Sequence, residues 1–114
     1  MEKDLLVKCL AQLGHSTRIS IFQLLVQAGK KGMNVGELLE ELDIPASTLS
    51  HHISKLTNLD LVRQEREGRV LRCIANYELL NDVIFELQSK CCKNSEDEKE
   101  IACYEKKSQK NTAN

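Results

Sequence analysis

Five cysteines and three histidines are the side chains of this 114-residue sequence best able to bind an ion or change oxidation state. Cys91 and Cys92 are adjacent and Cys103 lies eleven positions beyond Cys92, whereas Cys9 and Cys73 stand alone in apolar surroundings. An extended chain covers about 3.3–3.6 Å per residue, so the segment after Cys92 is long enough to fold back and gather three thiolates. Trivalent arsenic or antimony is thiophilic and satisfied by three sulfurs, whereas zinc generally wants four ligands. Arsenite or antimonite therefore suits Cys91, Cys92 and Cys103 better than zinc does. A plainer reading stands beside it, in which Cys91 is the last small hydrophobe of a helix stripe and Cys92 and Cys103 are idle thiols. An odd cysteine count in a reducing compartment argues against a disulfide framework and leaves oxidation as another use of exposed thiols. Cys9 and Cys73 read as core fillers.

His51 and His52 are neighbours, and adjacent helical residues point about 100° apart. His52 shares a face with Leu49, Ile53 and Leu56 and is expected to be packed and hydrogen-bonded. His51 falls outside that face and reads as a phosphate or base contact in preference to a zinc ligand, because no cysteine or carboxylate accompanies it at ligand spacing.

The elements that must position these groups follow from apolar periodicity. Leu5, Leu6, Cys9, Leu10 and Leu13 mark a first helix ended by Gly14. Ser16 and Thr17 offer a cap to a second, with Ile19, Phe22, Leu25 and Val26, that stops at Ala28-Gly29. Asn34 caps a short third helix, Val35 to Leu42, and Asp43-Ile44-Pro45 breaks it. Ser47 is expected to cap a fourth, with Leu49, Ile53 and Leu56 inward, so two short helices flank a tight turn. Residues 61–65 and 70–75 read as strands joined at Arg66-Glu67-Gly68-Arg69, with Gly68 supplying a positive φ. Asn76 caps a last helix striped by Leu80, Val83, Ile84, Leu87 and Cys91. The expected fold is mainly α with a small β-hairpin wing, a winged helix-turn-helix in the order α-α-α-α-β-β-α. Residues 1–92 are expected to form this one folded domain, and 93–114 a polar, charged tail carrying Cys103, loose without a ligand.

With 41% hydrophobic residues, 4% aromatic and no Trp, one Leu/Ile/Val core is all this length supports. The net charge of −1 does not by itself announce a nucleic-acid binder, so local charge must carry that argument. Lys55, Arg63, Arg66, Arg69 and Arg72 against Asp60, Glu65 and Glu67 concentrate positive charge around the hairpin. On the fourth helix Ser47, Thr48, Ser50, His51 and Ser54 are short and polar, which suits entry into a major groove about 12 Å wide. Ser47, Thr48, Ser50, His51, Ser54, Lys55, Arg66 and Arg69 are the candidate DNA contacts. No catalytic triad, carboxylate pair or phosphate-cradling glycine loop is present, so an enzyme is not expected. No apolar run reaches the roughly 20 residues of a membrane span, and Met1-Glu2-Lys3-Asp4 does not open like a signal peptide, so a cytoplasmic protein is expected.

Leu13-Gly14-His15-Ser16-Thr17-Arg18, Val35-Gly36-Glu37-Leu38-Leu39-Glu40, Ser47-Thr48-Leu49-Ser50-His51-His52-Ile53-Ser54-Lys55-Leu56, Leu61-Val62 and Arg66-Glu67-Gly68-Arg69 together resemble the ArsR/SmtB family of winged-helix repressors. The likeness covers residues 5–90. It implies a homodimer paired through the first and last helices, bound to an inverted-repeat operator in double-stranded DNA. The metal ligands that such proteins often carry on the third helix, or as Asp and His pairs on the last, are missing: the third helix has neither Cys nor His, and the last has Asp82 without a histidine. Cys91, Cys92 and Cys103 instead resemble the arrangement of arsenite-responsive members, which use a vicinal pair at the end of the last helix and a tail cysteine. Release from DNA by arsenite or antimonite is the function this implies. A thiol-redox or reactive-sulfur repressor of the same fold and a winged-helix protein-interaction module are the alternatives.

Overall fold

A computed structural model describes residues 1–94, so Cys103 and the rest of the charged tail lie outside the described residues. The order is α1 (Lys3–Leu13), α2 (Ser16–Ala28), β1 (Met33–Asn34), α3 (Val35–Glu41), α4 (Ala46–Asn58), β2 (Val62–Glu67), β3 (Val70–Ala75) and α5 (Tyr77–Gln88). This is the expected winged helix-turn-helix with one addition. The hairpin has a third strand, β1, giving an antiparallel sheet in the order β1-β3-β2. Two residues are too short for an alternating pattern to show in sequence. What permits the strand is Gly32, at φ +66°, where any β-carbon would overlap the Cys73 carbonyl oxygen. Its absence brings the chain close enough for Met33 to pair with Cys73 and Asn34 with Arg72.

The core is aliphatic, as the composition demands. Ile21, Phe22 and Leu25 from α2, Leu38 from α3, and Leu49, Ile53 and Leu56 from α4 pack with Leu61, Val62, Cys73, Ala75 and Val83. Cys9 and Cys73 are fully buried and fill this core, as expected.

Helix ends follow local chemistry, with two corrections. Asn34 caps α3 through a reciprocal box: its Oδ1 accepts from Glu37 N–H at 2.8 Å, and Glu37 Oε1 accepts from Asn34 N–H at 3.2 Å. Ser16 and Ser47 are not caps. His15 and Pro45 hold those positions without a side-chain bond, and Ser16 and Ser47 lie inside the helices. Pro45, at φ −64°, is already shaped for a helix entry, so α4 starts two residues earlier than a Ser47 cap would set it.

The chain leaves α4 through a Schellman turn: Leu61 N–H donates to Leu56 O and Asp60 N–H to Thr57 O, with Asp60 at φ 62°. Buried Asn76 then ties this corner to α5. Its side-chain amide donates to Asp60 O at 2.8 Å, its N–H to Leu61 O at 2.9 Å, and its Oδ1 caps α5 by accepting from Leu79 N–H at 3.3 Å. Tyr77 adds a bond from its hydroxyl to Val26 O at 2.9 Å.

By its contacts the chain forms one unit from Met1 to Val83, and a second begins at Ile84 within α5. In the first, Val7 and Leu10 of α1 are exposed; in the second, Ile84, Phe85 and Leu87 are, with Phe85 at 67%. The helix ends at Gln88, so Cys91 and Cys92 do not close it as expected but sit in the turns that follow, with Cys92 at φ 55°.

Candidate nucleic-acid interface and thiol pair

Burial on α4 alternates with helical period. Leu49, His52, Ile53 and Leu56 face inward, while Ser47, Ser50, His51, Ser54 and Lys55 are exposed and Thr48 is half-buried. All six candidate contacts on this helix therefore share its outward side or its margin. With no side-chain cap at Pro45, the first amides of α4 are left to partners from outside the helix, the usual setting for an anion.

The wing supplies the charge. Residues directly paired across an antiparallel ladder share a face, so Val62, Gln64 and Arg66 stand with Ala75, Cys73 and Leu71 on the side that holds the core. Arg66 continues that face at the far end of the hairpin, and Arg69 follows Gly68, at φ 65°, in the turn. Both are exposed, as is Arg63. Arg72 is different. Its Nε donates to Glu67 Oε2 at 2.8 Å, while its Nη1 lies 4.0 Å from Glu37 Oε1 and makes no hydrogen bond. It therefore braces β3 against β2 and α3 and drops out of the surface charge counted from sequence.

Between α4 and the hairpin lies a cleft of about 250 Å³ lined by Val35, Ser50, Ile53, Ser54, Thr57, Gln64 and Leu71. Thr57 and Gln64 were not among the sequence candidates. Strand alternation from buried Val62 could have found Gln64, and helical spacing from Ser50 and Ser54 could have found Thr57.

On the inner side, His52 Nδ1 accepts from Arg18 Nε at 3.2 Å, and the His15 ring lies 4.9 Å from that of His52. Burial first, and then the nearby Arg18, His15 and His51, hold the His52 imidazolium below the ordinary histidine range. His52 is thus the packed, bonded residue expected, and His51 the exposed one.

The thiols divide sharply. Burial pushes Cys9 and Cys73 up, offset at Cys73 by the side chain of Gln64. Cys91 is exposed and Cys92 half-buried, their sulfurs 4.0 Å apart and not disulfide-bonded. Among the described residues no three His, Cys, Asp or Glu side chains converge as a metal site.

Residues 13–65 match the family described as "Helix-turn-helix domain". No curated protein matches the chain in sequence. Among solved structures, an ArsR-like transcriptional regulator from Rhodococcus sp. RHA1 superposes with a TM-score of 0.70 at 21% identity, over 90% of this chain and 92% of that one. The transcriptional regulator HlyU from Vibrio vulnificus CMCP6 gives 0.56 at 25% identity, over 75% and 86%. Reduced HlyU from Vibrio cholerae gives 0.60 at 22%, over 77% and 90%. The first two are described as transcriptional regulators. Residues 13–65 belong to a helix-turn-helix domain, and the chain has the winged helix-turn-helix fold of ArsR-family regulators.

Proposed function

We propose that this chain is a DNA-binding repressor released from its operator when arsenite or antimonite binds cysteine thiolates. The observation that carries the DNA half is the division of α4, whose inward residues are all core while its outward residues are short hydroxyls, His51 and Lys55 beside a wing bearing Arg66 and Arg69. Short side chains let a helix enter the major groove, and the wing arginines reach phosphates or the adjoining minor groove. A homodimer would set two recognition helices one helical turn apart on an inverted repeat. The exposed apolar residues of α1 and, separately, of α5 supply material for such pairing. No helix among the described residues is long and apolar enough to cross a membrane, which accords with a cytoplasmic site of action.

Cys91 and Cys92 carry the inducer half. With bonds of about 2.3 Å, two thiolates on one ion stand roughly 3.5–4 Å apart, close to the 4.0 Å of this pair. Cys103 completes a three-sulfur set. Ligand binding then draws the tail toward the end of α5 and, through the dimer, alters the spacing of the recognition helices. A coupling of about 1–3 kcal/mol would lower affinity by roughly 5-fold to 150-fold.

The test is fluorescence anisotropy on a duplex from upstream of the coding region, under reducing conditions, with and without arsenite. Wild type should release DNA, and Cys91→Ser/Cys92→Ser and Cys103→Ser should not. Tight binding untouched by arsenite in every protein sinks the metalloid reading. The proximity of two sulfurs also favours a second reading, oxidation to a disulfide, and release by peroxide but not by arsenite would select it.

A further inference from the structure

His52 lies on the inner face of α4, only 6% exposed. Its Nδ1 accepts from Arg18 Nε, and Arg18 Nη1 in turn donates to the Gln12 carbonyl at 3.2 Å and to the Gln12 side-chain oxygen. One hydrogen-bonded line thus runs from the last turn of α1, through α2, to the recognition helix. An imidazole that accepts at Nδ1 carries its single proton on Nε2 and is neutral. A second proton, on Nδ1, turns the acceptor into a donor, sets N–H against N–H and places a cation against the guanidinium. The groups that act on His52 are Arg18 from α2, His15 from the α1–α2 turn with its ring 4.9 Å away, and His51 from α4 with its ring 6.1 Å away. None of them is a carboxylate that would offset the new charge.

From this junction we infer that His52 is a positioning residue: its neutral form, held by Arg18, fixes α4 for DNA, and protonation releases α4 and weakens operator binding. The inference rests on the DNA-binding reading above. It also has a distinctive sign. Protonating an exposed histidine that faces phosphate, as proposed for His51, adds a cation and strengthens binding in acid; protonating His52 weakens it.

Affinity for the upstream duplex should fall at least about 5-fold between about pH 7.5 and about pH 5.5 at fixed salt, the low end of ordinary site-to-site coupling. His52→Asn puts an amide oxygen where Nδ1 stands, keeps an acceptor for Arg18 and cannot titrate, so its affinity should lose that acid sensitivity. Wild-type affinity that is flat or tighter in acid, or an equal acid loss in His52→Asn, overturns the inference. A second measurement needs no variant. In nuclear magnetic resonance of the wild type, the Arg18 Nε–H signal should move with the His52 titration, and added duplex should shift the His52 midpoint further down, because coupling between two ligands is reciprocal. A midpoint that DNA leaves in place or raises refutes the idea. Absence of any duplex binding at neutral pH removes the DNA-binding reading instead, and the Arg18 response alone then decides whether the proton-sensitive junction exists.

Discussion

Replacing Arg66 by alanine removes one exposed cation from each wing, while Arg72→Met removes one that the fold already uses. The two arginines are close in sequence and in charge, so their different surroundings make opposite predictions. Neutralising a phosphate releases counterions, and log K falls with log[salt] by about 0.9 per contact on duplex DNA. A dimer that loses one contact per subunit should show a slope shallower by roughly 1.8, so the affinity lost between 50 and 200 mM salt shrinks by about 12-fold. Arg72 is 25% exposed, with Nε on Glu67 and Nη1 near Glu37. Its loss should leave the salt slope unchanged and cost stability, within about 1 kcal/mol because Glu67 and Glu37 are largely solvated. Anisotropy titrations at four salt concentrations, with urea melts of the same proteins, read both quantities. An unchanged slope in Arg66→Ala, or an equal drop in both variants, would refute the assignment of Arg66 to DNA and Arg72 to the scaffold.

Asn34→Ala breaks the reciprocal cap of α3 and should lower unfolding free energy by about 1 kcal/mol at constant m-value in urea. Gly32→Ala forces a β-carbon toward the Cys73 carbonyl at a positive φ and should cost at least about 1–3 kcal/mol, with loss of the β1–β3 amide protection in hydrogen exchange. Among the described cysteines, alkylation of the native protein should modify Cys91 first, and Cys9 and Cys73 only at the rate of unfolding, because burial hides these two and raises their proton affinity. His52 is held below its ordinary value, so the unfolded chain takes up its proton more readily than the folded one. The stability this represents is intact above about pH 6.5, declines as pH falls below that value, and stops declining once the folded-state value is passed. Urea melts across this range should show the decline in wild type and a shallower one in His52→Asn.

Most of the fold was legible because helix periodicity and turn chemistry agree: Leu49, His52, Ile53 and Leu56 fall on one face of α4 whether read from spacing or from burial. What was not legible depended on close approach or on competition between caps. Asp60 takes the left-handed position that glycine usually fills, held by the Asn76 amide on its carbonyl, a partner sixteen residues away. Ser47 looked like a cap because serine is a good one, but Pro45 entered the helix first. Arg72 looked like surface charge because sequence cannot see Glu37 arriving from another element. Cys91 looked helical because the stripe from Leu80 keeps its period past Gln88, where the helix stops.

These misses bear on the function in one direction. Packing fixes the inward side of α4, and any residue there that changes volume strains the core. Its outward side makes a weaker demand: Ser47, Ser50, His51, Ser54 and Lys55 are exposed there. The part of the chain that reads DNA in this proposal is therefore the part least constrained by folding, and it can change while the scaffold persists. Exchanging Ser50 or His51 should accordingly alter operator preference with stability within about 0.5 kcal/mol of wild type, as for surface substitutions generally. A uniform loss of affinity across operator sequences would demote both residues from base readers to backbone contacts.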